Sequence, residues 1–279
     1  MIIALFPNTS KTESKTLAIG VADFLTHLGI TVVAEEEKAE ELGLRPLSSV
    51  DAKEIGLIIS MGGDGTILRL AHNYAELDAP ILGINLGHLG FMADVPLSDI
   101  YPSLQDLISG AYKVHERVMI QGHSPRGDYC FAVNDIVVHR GKNPTLVDIA
   151  IHIDGVYLNT FEADGIIIAT PNGSTAYSLA AGGPIISPDL DALVLTPISP
   201  HTISNRPIVL TAHQEIQIQY LSDYDPVEVR ADGLVHRELH TGDVFRITRH
   251  PKTFKLVSLA RRDYFSTLRT KLGWAGKLR

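Results

Sequence analysis

Two hundred and seventy-nine residues carry 24 Lys and Arg against 32 Asp and Glu, a net charge of −8, with 45% hydrophobic and 20% charged residues. That composition is globular and too apolar for disorder, and the length suits one large α/β unit or two smaller domains, either able to bury a sizeable core. A net-acidic chain without Lys/Arg runs is a poor wrapper of nucleic-acid backbone and is repelled by an anionic membrane, which leaves nucleotide and small-molecule chemistry open.

Cys130 is the single cysteine, so no intramolecular disulfide and no Cys/His zinc spacing is available, and a reducing compartment fits. The opening run from Met1 to Phe6 has six apolar residues and no basic n-region, so it reads as a strand and not as a signal peptide. Every apolar stretch is interrupted well short of the roughly 18 residues a membrane helix needs. A cytoplasmic protein with neither membrane nor nucleic acid as partner is expected.

In chain order, Ile2 to Phe6 reads as a strand and Thr12 to Leu28 as a helix with Leu17, Val21, Phe24, Leu25 and Leu28 on one face. Ile30 to Val33 is a second strand, and the run Glu35 to Glu41 is a solvated acidic face or a mobile segment. Ile55 to Met61 is a nearly unbroken apolar strand, then come Gly62 to Thr66, a helix from about Ile67 to Leu77, and a strand at Ile81 to Asn85. Strands alternating with helices predict a parallel sheet covered on both faces.

After about residue 100 the rhythm changes. Leu104 to Ile108 is one more helix, and then short β segments follow: 114–121, 129–140, 147–153, 165–170, 208–210, 215–220, 227–231 and 244–248. Gly, Pro and Asp turns separate them, which predicts an all-β unit of two packed sheets. Tyr264 to Trp274 has helical spacing at Phe265, Leu268 and Leu272. The expected organisation is an α/β domain over 1–105, a β-sandwich domain over 106–260, and a C-terminal helix within 261–279 that packs back on the α/β domain.

Three clusters carry chemistry. Gly62-Gly63-Asp64-Gly65-Thr66 lies between a buried strand and an amphipathic helix. A helix N-terminus beyond the carboxyl end of a parallel strand offers N–H groups to phosphate, and missing Cβ atoms let phosphate oxygens approach. Neither GxxxxGK[ST] nor GxGxxG occurs, and a plain turn in which Asp64 and Thr66 cap the helix explains the same residues. The second cluster runs from Asp164 through Tyr177 to Gly183, where Thr170, Asn172, Ser174 and Thr175 supply polar groups and Tyr177 a ring. It suits a nucleoside pocket or a hydrogen-bonded corner of a sandwich. The third is Asn134-Asp135 inside an apolar strand, a pair whose side chains point to opposite faces, so that one of them meets the interior and must be satisfied.

GGDGT after an apolar strand, the Asn134-Asp135 pair about 70 residues later, the block DGIIIATPNGSTAYSLAAGGP, the segment from Pro200 to Pro207, and Lys271-Leu272-Gly273-Trp274 together resemble the NAD kinases, which phosphorylate the adenosine ribose 2′-hydroxyl of NAD with ATP. GGDGT has relatives in diacylglycerol and sphingosine kinases and in phosphofructokinases, whereas the long block is specific. The resemblance covers nearly the whole chain. It implies an N-terminal α/β domain with a C-terminal β-sandwich, Asp64 as proton acceptor, and Gly62, Gly63, Gly65, Thr66 and Arg69 beside the nucleotides. It also implies that Asn134 and Asp135 hold the NAD ribose and amide, and that Asp164 with Thr175, Ala176, Tyr177, Ser178, Leu179 and Ala180 surrounds the dinucleotide.

Mg²⁺ or another divalent cation would accompany ATP, with no carboxylate set in the chain dedicated to it. A homodimer or homotetramer with shared sites is implied as well. Ala180 stands where the family commonly has Ser, Asn172 where Thr is common, and Glu162 where related sequences can carry a basic residue. A GGDGT-type lipid kinase and a non-catalytic nucleotide-binding regulator are the competing readings. The acidic balance and the GSTAY block oppose the first, and an intact Asp64 opposes the second. The twelve His show no HExxH or tight cluster, and Trp274 reads as a packing anchor.

Overall fold

The computed structural model describes residues 1–8, 12–87, 89–261 and 263–274. The remaining positions lie outside the described residues, so the expected 261–279 segment is described only in part. Strands and helices alternate at first: β1 (Ile2–Pro7), α1 (Thr12–His27), β2 (Thr31–Ala34), α2 (Glu36–Leu42), β3 (Arg45–Pro46), β4 (Ile55–Gly62), α3 (Asp64–Asn73), β5 (Ile81–Asn85), β6 (Ala93–Val95), α4 (Ile100–Ile108) and β7 (Tyr112–Arg117). Next come β8 (Ile120–His123), β9 (Tyr129–Ala132), β10 (Asp135–His139), β11 (Val147–Ile153), β12 (Val156–Ala163), β13 (Gly165–Ala169) and the short α5 (Tyr177–Ala180). They are followed by β14 (Ala192–Ile198), β15 (Ile208–Thr211), β16 (Ile216–Tyr220), β17 (Val227–Ala231), β18 (Val235–Leu239), β19 (Val244–Arg249), β20 (Phe254–Leu259) and α6 (Tyr264–Leu272).

Two compact units result: Met1–His115 with the stretch from Lys255 onward, and Glu116–Phe254. In the first unit one sheet has the order β3-β2-β1-β4-β5-β20-β7, with β6 on β5. Its pairings from β3 through β20, and that of β5 with β6, are parallel. The chain winds outward from β1 to β3 and resumes on the other side of β1 at β4, so the order reverses between β1 and β4. In such sheets ligands bind outside the carboxyl ends of the strands at this reversal. The Asn8 N–H donates to the Met61 carbonyl at 2.8 Å and ties the two strand ends together.

Alternate residues of a strand face one side, and Ile3 and Leu5, Leu57 and Ile59, and Leu82 and Ile84 share one core cluster with Val21 and Leu25 of α1 and Leu104 and Leu107 of α4. The acidic run is the solvated side of α2, whose Ala39 and Leu42 turn inward and whose end is closed by Gly43 at φ 67°. The expected helix at Ile67 begins three residues earlier, at Asp64, which puts the GGDGT segment at its N-terminus.

The second unit holds two six-stranded sheets, β15-β14-β13-β10-β17-β18 and β12-β11-β16-β19-β8-β9. All pairings in them are antiparallel. Ile136, Val138, Ile166 and Ile168 from the first sheet join Ile149, Ile151, Ile216, Ile218, Phe245 and Ile247 from the second in one core, which makes the unit a sandwich. Val137, Ile167, Ala169 and Val194 form a further cluster with Ile186 on the other face of the first sheet. That cover is why β13 is buried along its whole length and reads as an unbroken apolar run. Among the described residues no helix is long and apolar enough to cross a membrane.

Candidate active site

In the first unit, β4 delivers Gly62 directly into α3. A Cβ on Gly62 would overlap Thr66 Oγ1, so the fold itself requires glycine there. Gly63 and Gly65 differ. A Cβ on either meets nothing within 4 Å, and neither has a positive φ, so nothing in the fold demands glycine at those two positions. Arg69, exposed one turn further on, borders a hollow of about 150 Å³ with Pro7, Glu35, Thr66, Asn73 and Tyr74 beside the end of β1.

Asp64 is the first residue of α3, but its carboxylate caps neither that helix nor the turn. Oδ2 accepts the Phe91 N–H at 2.8 Å, and Oδ1 accepts those of Met92 at 3.0 Å and Ala93 at 2.9 Å. The capping explanation of Asp64 is therefore replaced by a link across the sheet end to the segment that leads into β6. A carboxylate oxygen has two acceptor positions, so among these bonds Oδ1 is filled and Oδ2 retains one.

In the second unit, the apolar run 131–138 is two strands in different sheets, broken at Val133 and Asn134. The break explains two adjacent polar residues better than opposite faces of one strand do. Thr170 Oγ1 donates to the Val133 carbonyl at 2.6 Å, and the Thr170 N–H to the Asn134 carbonyl at 2.8 Å. Asn172 Nδ2 donates to Asn134 Oδ1 at 2.7 Å. A Cβ on Gly173 would overlap the Asn134 carbonyl oxygen, so the corner and the 170–175 turn lock together only with glycine there. Asp232 closes the other side: its carboxylate accepts the N–H groups of Val133 and Asn134 at 2.8 Å and of Asp135 at 3.2 Å.

Asn134, Asp135, Ala176 and Tyr177 line one cavity of about 610 Å³. Its floor consists of cross-strand pairs of β10 and β17, Val137 opposite Arg230 and His139 opposite Glu228, with Asp232 at the strand end. These residues were missed in the sequence. The alternation of β17 is the signal that marks them, because Val227, Val229 and Ala231 fill the sandwich core and so turn Glu228 and Arg230 to the opposite face.

Arg230 forms a forked contact with Glu228 Oε2, at 2.9 Å from Nε and 2.7 Å from Nη2, and this contact holds the Glu228 carboxyl below its ordinary range. Burial, and then the charge of Asp232, push Asp135 up to about 7.

The rest of the second cluster divides. Ser174 Oγ donates to the Pro171 carbonyl at 2.7 Å and accepts the Ile186 N–H at 3.0 Å. Ser178 Oγ meets Thr196 Oγ1 of β14 at 2.8 Å, and both residues are fully buried, so Ser174 closes the 170–187 segment on itself and Ser178 fastens it to the sheet. Thr175 Oγ1 donates to the Asn172 carbonyl at 3.2 Å. Thr175, Leu179 and Ala180 are not among the residues lining the cavity. Nor is Asp164, which accepts Arg140 Nε at 2.6 Å and lines a different cavity of about 650 Å³ with Arg140, Asp148, Glu162, Ser222 and Tyr224.

The family model described as the ATP-NAD kinase N-terminal domain matches residues 3–112, and that of the ATP-NAD kinase C-terminal domain matches residues 133–259. An NAD kinase of Protochlamydia amoebophila (strain UWE25) is 56% identical over 278 residues, covering 100% of both chains. One from Moorella thermoacetica is 40% identical over 98% of this chain and 90% of its own. Among solved structures, yeast NADH kinase complexed with NADH superposes with a TM-score of 0.86 at 28% identity, over 100% of this chain and 89% of that one. An NAD kinase from Archaeoglobus fulgidus in complex with ATP gives a TM-score of 0.78 at 26% identity, over 99% and 100%. With both domain models matched in order along most of its length, and with relatives alike from end to end, the chain belongs to the NAD kinase family.

Proposed function

We propose that this chain transfers the γ-phosphate of ATP to the 2′-hydroxyl of the adenosine ribose of NAD, with Asp64 receiving the proton. The observation that carries the reading is the match of both kinase domain models along the chain. An aspartate held in one orientation at the start of α3 supports the role given to Asp64.

Phosphoryl transfer runs through a loose, highly anionic transition state, so positioning and charge neutralisation do most of the catalysis. A carboxylate of reference pKa about 4 does not remove a ribose proton in the ground state. Asp64 instead orients the hydroxyl through the open acceptor position on Oδ2. As the O2′–P bond forms and the bond from Pγ to the bridging oxygen breaks, the electron pair leaves with ADP and the proton passes to Asp64, then to solvent. The Thr66 N–H at the start of α3 already donates to the Gly63 carbonyl at 2.9 Å, so the N–H groups of Asp64 and Gly65 are the ones that serve phosphate oxygens, which the open surfaces of Gly63 and Gly65 let approach. A divalent cation such as Mg²⁺, carried on the ATP phosphates with water, would neutralise charge on the transferring group.

In the second unit the 610 Å³ cavity takes the dinucleotide: Asn134 and Asp135 bind ribose hydroxyls and amide, and the Tyr177 ring lies along a base or ribose face. Asp164 and Glu162 border a separate cavity; a homodimer or homotetramer in which these groups serve a partner's dinucleotide belongs to the same reading and rests on the family resemblance. One cysteine, buried, suits a reducing cytoplasm.

The deciding assay combines purified protein, Mg-ATP and NAD, with NADP read by a coupled dehydrogenase. NADP formation is expected; its absence, with a lipid phosphorylated instead, overturns the reading. Light scattering with size exclusion tests the assembly, and a monodisperse active monomer would exclude shared sites.

A further inference from the structure

The three N–H groups that bind Asp64 come from consecutive residues, Phe91, Met92 and Ala93, within the segment between β5 and β6. The described residues at its two ends are tied to one another. The Gly90 N–H donates to the Ala93 carbonyl at 3.0 Å, buried Asn85 donates from Nδ2 to the same carbonyl at 3.2 Å, and Asn85 Oδ1 accepts the Gly87 N–H at 2.6 Å. Ala93 is anchored in turn by its register opposite Gly83, where a Cβ would meet the Ala93 Cα at 2.6 Å. The donors are thus part of a braced loop on the sheet.

Gly90 sits against their target. A Cβ there would overlap Asp64 Oδ1 and come within 2.7 Å of Cγ and 3.0 Å of Oδ2. Gly90 is not among the glycines with positive φ, so backbone conformation does not require glycine at this position. The requirement is the Asp64 carboxylate itself.

The geometry points to Gly90, with the main-chain N–H groups of Phe91, Met92 and Ala93, as the positioning element that orients the Asp64 carboxylate for phosphoryl transfer. Three donors fix the carboxylate plane and fill Oδ1, leaving the remaining acceptor position of Oδ2 for the substrate hydroxyl. Gly90 supplies the space in which this orientation exists. The proposal rests on the proton-acceptor role of Asp64.

Gly90→Ala, Asp64→Asn and the double variant, assayed as the intact protein with Mg-ATP and NAD, test it. Misplacing a reacting group by about 1 Å costs on the order of 100-fold, so Gly90→Ala should lower kcat to about that extent while KM for NAD stays within about twofold. In the Asp64→Asn background the same substitution should cost nothing further, because the group being oriented is already disabled. A Gly90→Ala protein with normal kcat, or one whose loss multiplies with that of Asp64→Asn, overturns the positioning role. Near-normal turnover of Asp64→Asn alone overturns the acceptor reading instead, so the two failures are distinct. Should Gly90→Ala not fold, Asn85→Ala removes one brace of Ala93 without adding volume beside Asp64. It should lower kcat in the same selective manner, and an equal rise in KM would count against the proposal.

Discussion

Asp232 is joined to Asp135 twice, once by backbone and once by side chain: at φ 50°, Asp232 donates its N–H to the Asp135 carbonyl at 2.9 Å and accepts the Asp135 N–H on Oδ1 at 3.2 Å. Since the same carboxylate also takes the N–H groups of Val133 and Asn134, it fixes the whole corner where the chain passes from one sheet to the other. Asp232→Ala leaves three donors without that acceptor and puts alanine in a left-handed conformation, a loss on the order of 2–4 kcal/mol. Asn tolerates this conformation and keeps one carbonyl oxygen, so Asp232→Asn should fall between. Thermal melts should rank wild type above Asn above Ala, and KM for NAD should rise in parallel; an Ala variant with unchanged melting and KM would remove Asp232 from the corner.

The same pair makes the second unit sensitive to pH. Asp135 is pushed from 3.8 up to about 7, first by burial and then by Asp232. Between those values the folded chain holds a proton on this carboxyl that the unfolded chain has released. Stability from this group is therefore full below about pH 4 and declines as pH rises through about 7. If Asp135 binds the NAD ribose and amide as proposed, ligand binding has the opposite sign, because the ionised carboxylate accepts on both oxygens without giving up acceptor capacity to a proton. KM for NAD should fall as pH rises through about 7, and Asp135→Asn should flatten both profiles. A wild-type KM independent of pH across that window would refute the link.

Legibility in the sequence followed local pattern. Strands β11 and β17 sit where their alternation puts them, 147–153 and 227–231. By contrast β14, the run ALVLTPI, is buried on both faces and contains Pro197, which argues against a central strand. It is tolerated because pairing with β15 reaches only Leu195, opposite Ile208, the first residue of β15. The edge strand β12 shows Val156, Tyr157 and Leu158 all exposed, so no alternation marks its start.

At the site, glycine and polar clusters pointed to the β4–α3 turn and to the Asn134 corner, because their chemistry is unusual for a strand or helix start. What stayed hidden depends on distant pairing. Nothing near Asp64 signals that its carboxylate is bound 27 to 29 positions later, and Asp232 reaches the corner across 97 to 99.

Tyr177 lines the 610 Å³ cavity with 43% of its surface exposed, so its ring contributes little to the core and, if that cavity takes the dinucleotide as proposed, is free to stack on a bound ring. Aromatic stacking beyond area burial is worth about 0.5–1.5 kcal/mol, which predicts that Tyr177→Ala raises KM for NAD about two- to tenfold at unchanged melting temperature. Tyr177→Phe should retain wild-type KM if the ring acts through its face. A loss as large in Phe as in Ala would shift the role to the hydroxyl.

Gly65 separates what the fold needs from what the reaction needs. It is the second residue of α3, has no positive φ, and a Cβ there meets nothing within 4 Å. Alanine is therefore compatible with the structure and should stabilise it by about 0.4–1 kcal/mol, through helix propensity and a less flexible unfolded chain. If the open surface exists so that phosphate oxygens can reach the first N–H groups of the helix, the added methyl stands in their path. Gly65→Ala should then melt at or above the wild-type temperature while losing affinity for Mg-ATP, NAD or both. A variant both more stable and fully active would show that the GGDGT turn does not contact phosphate at this position.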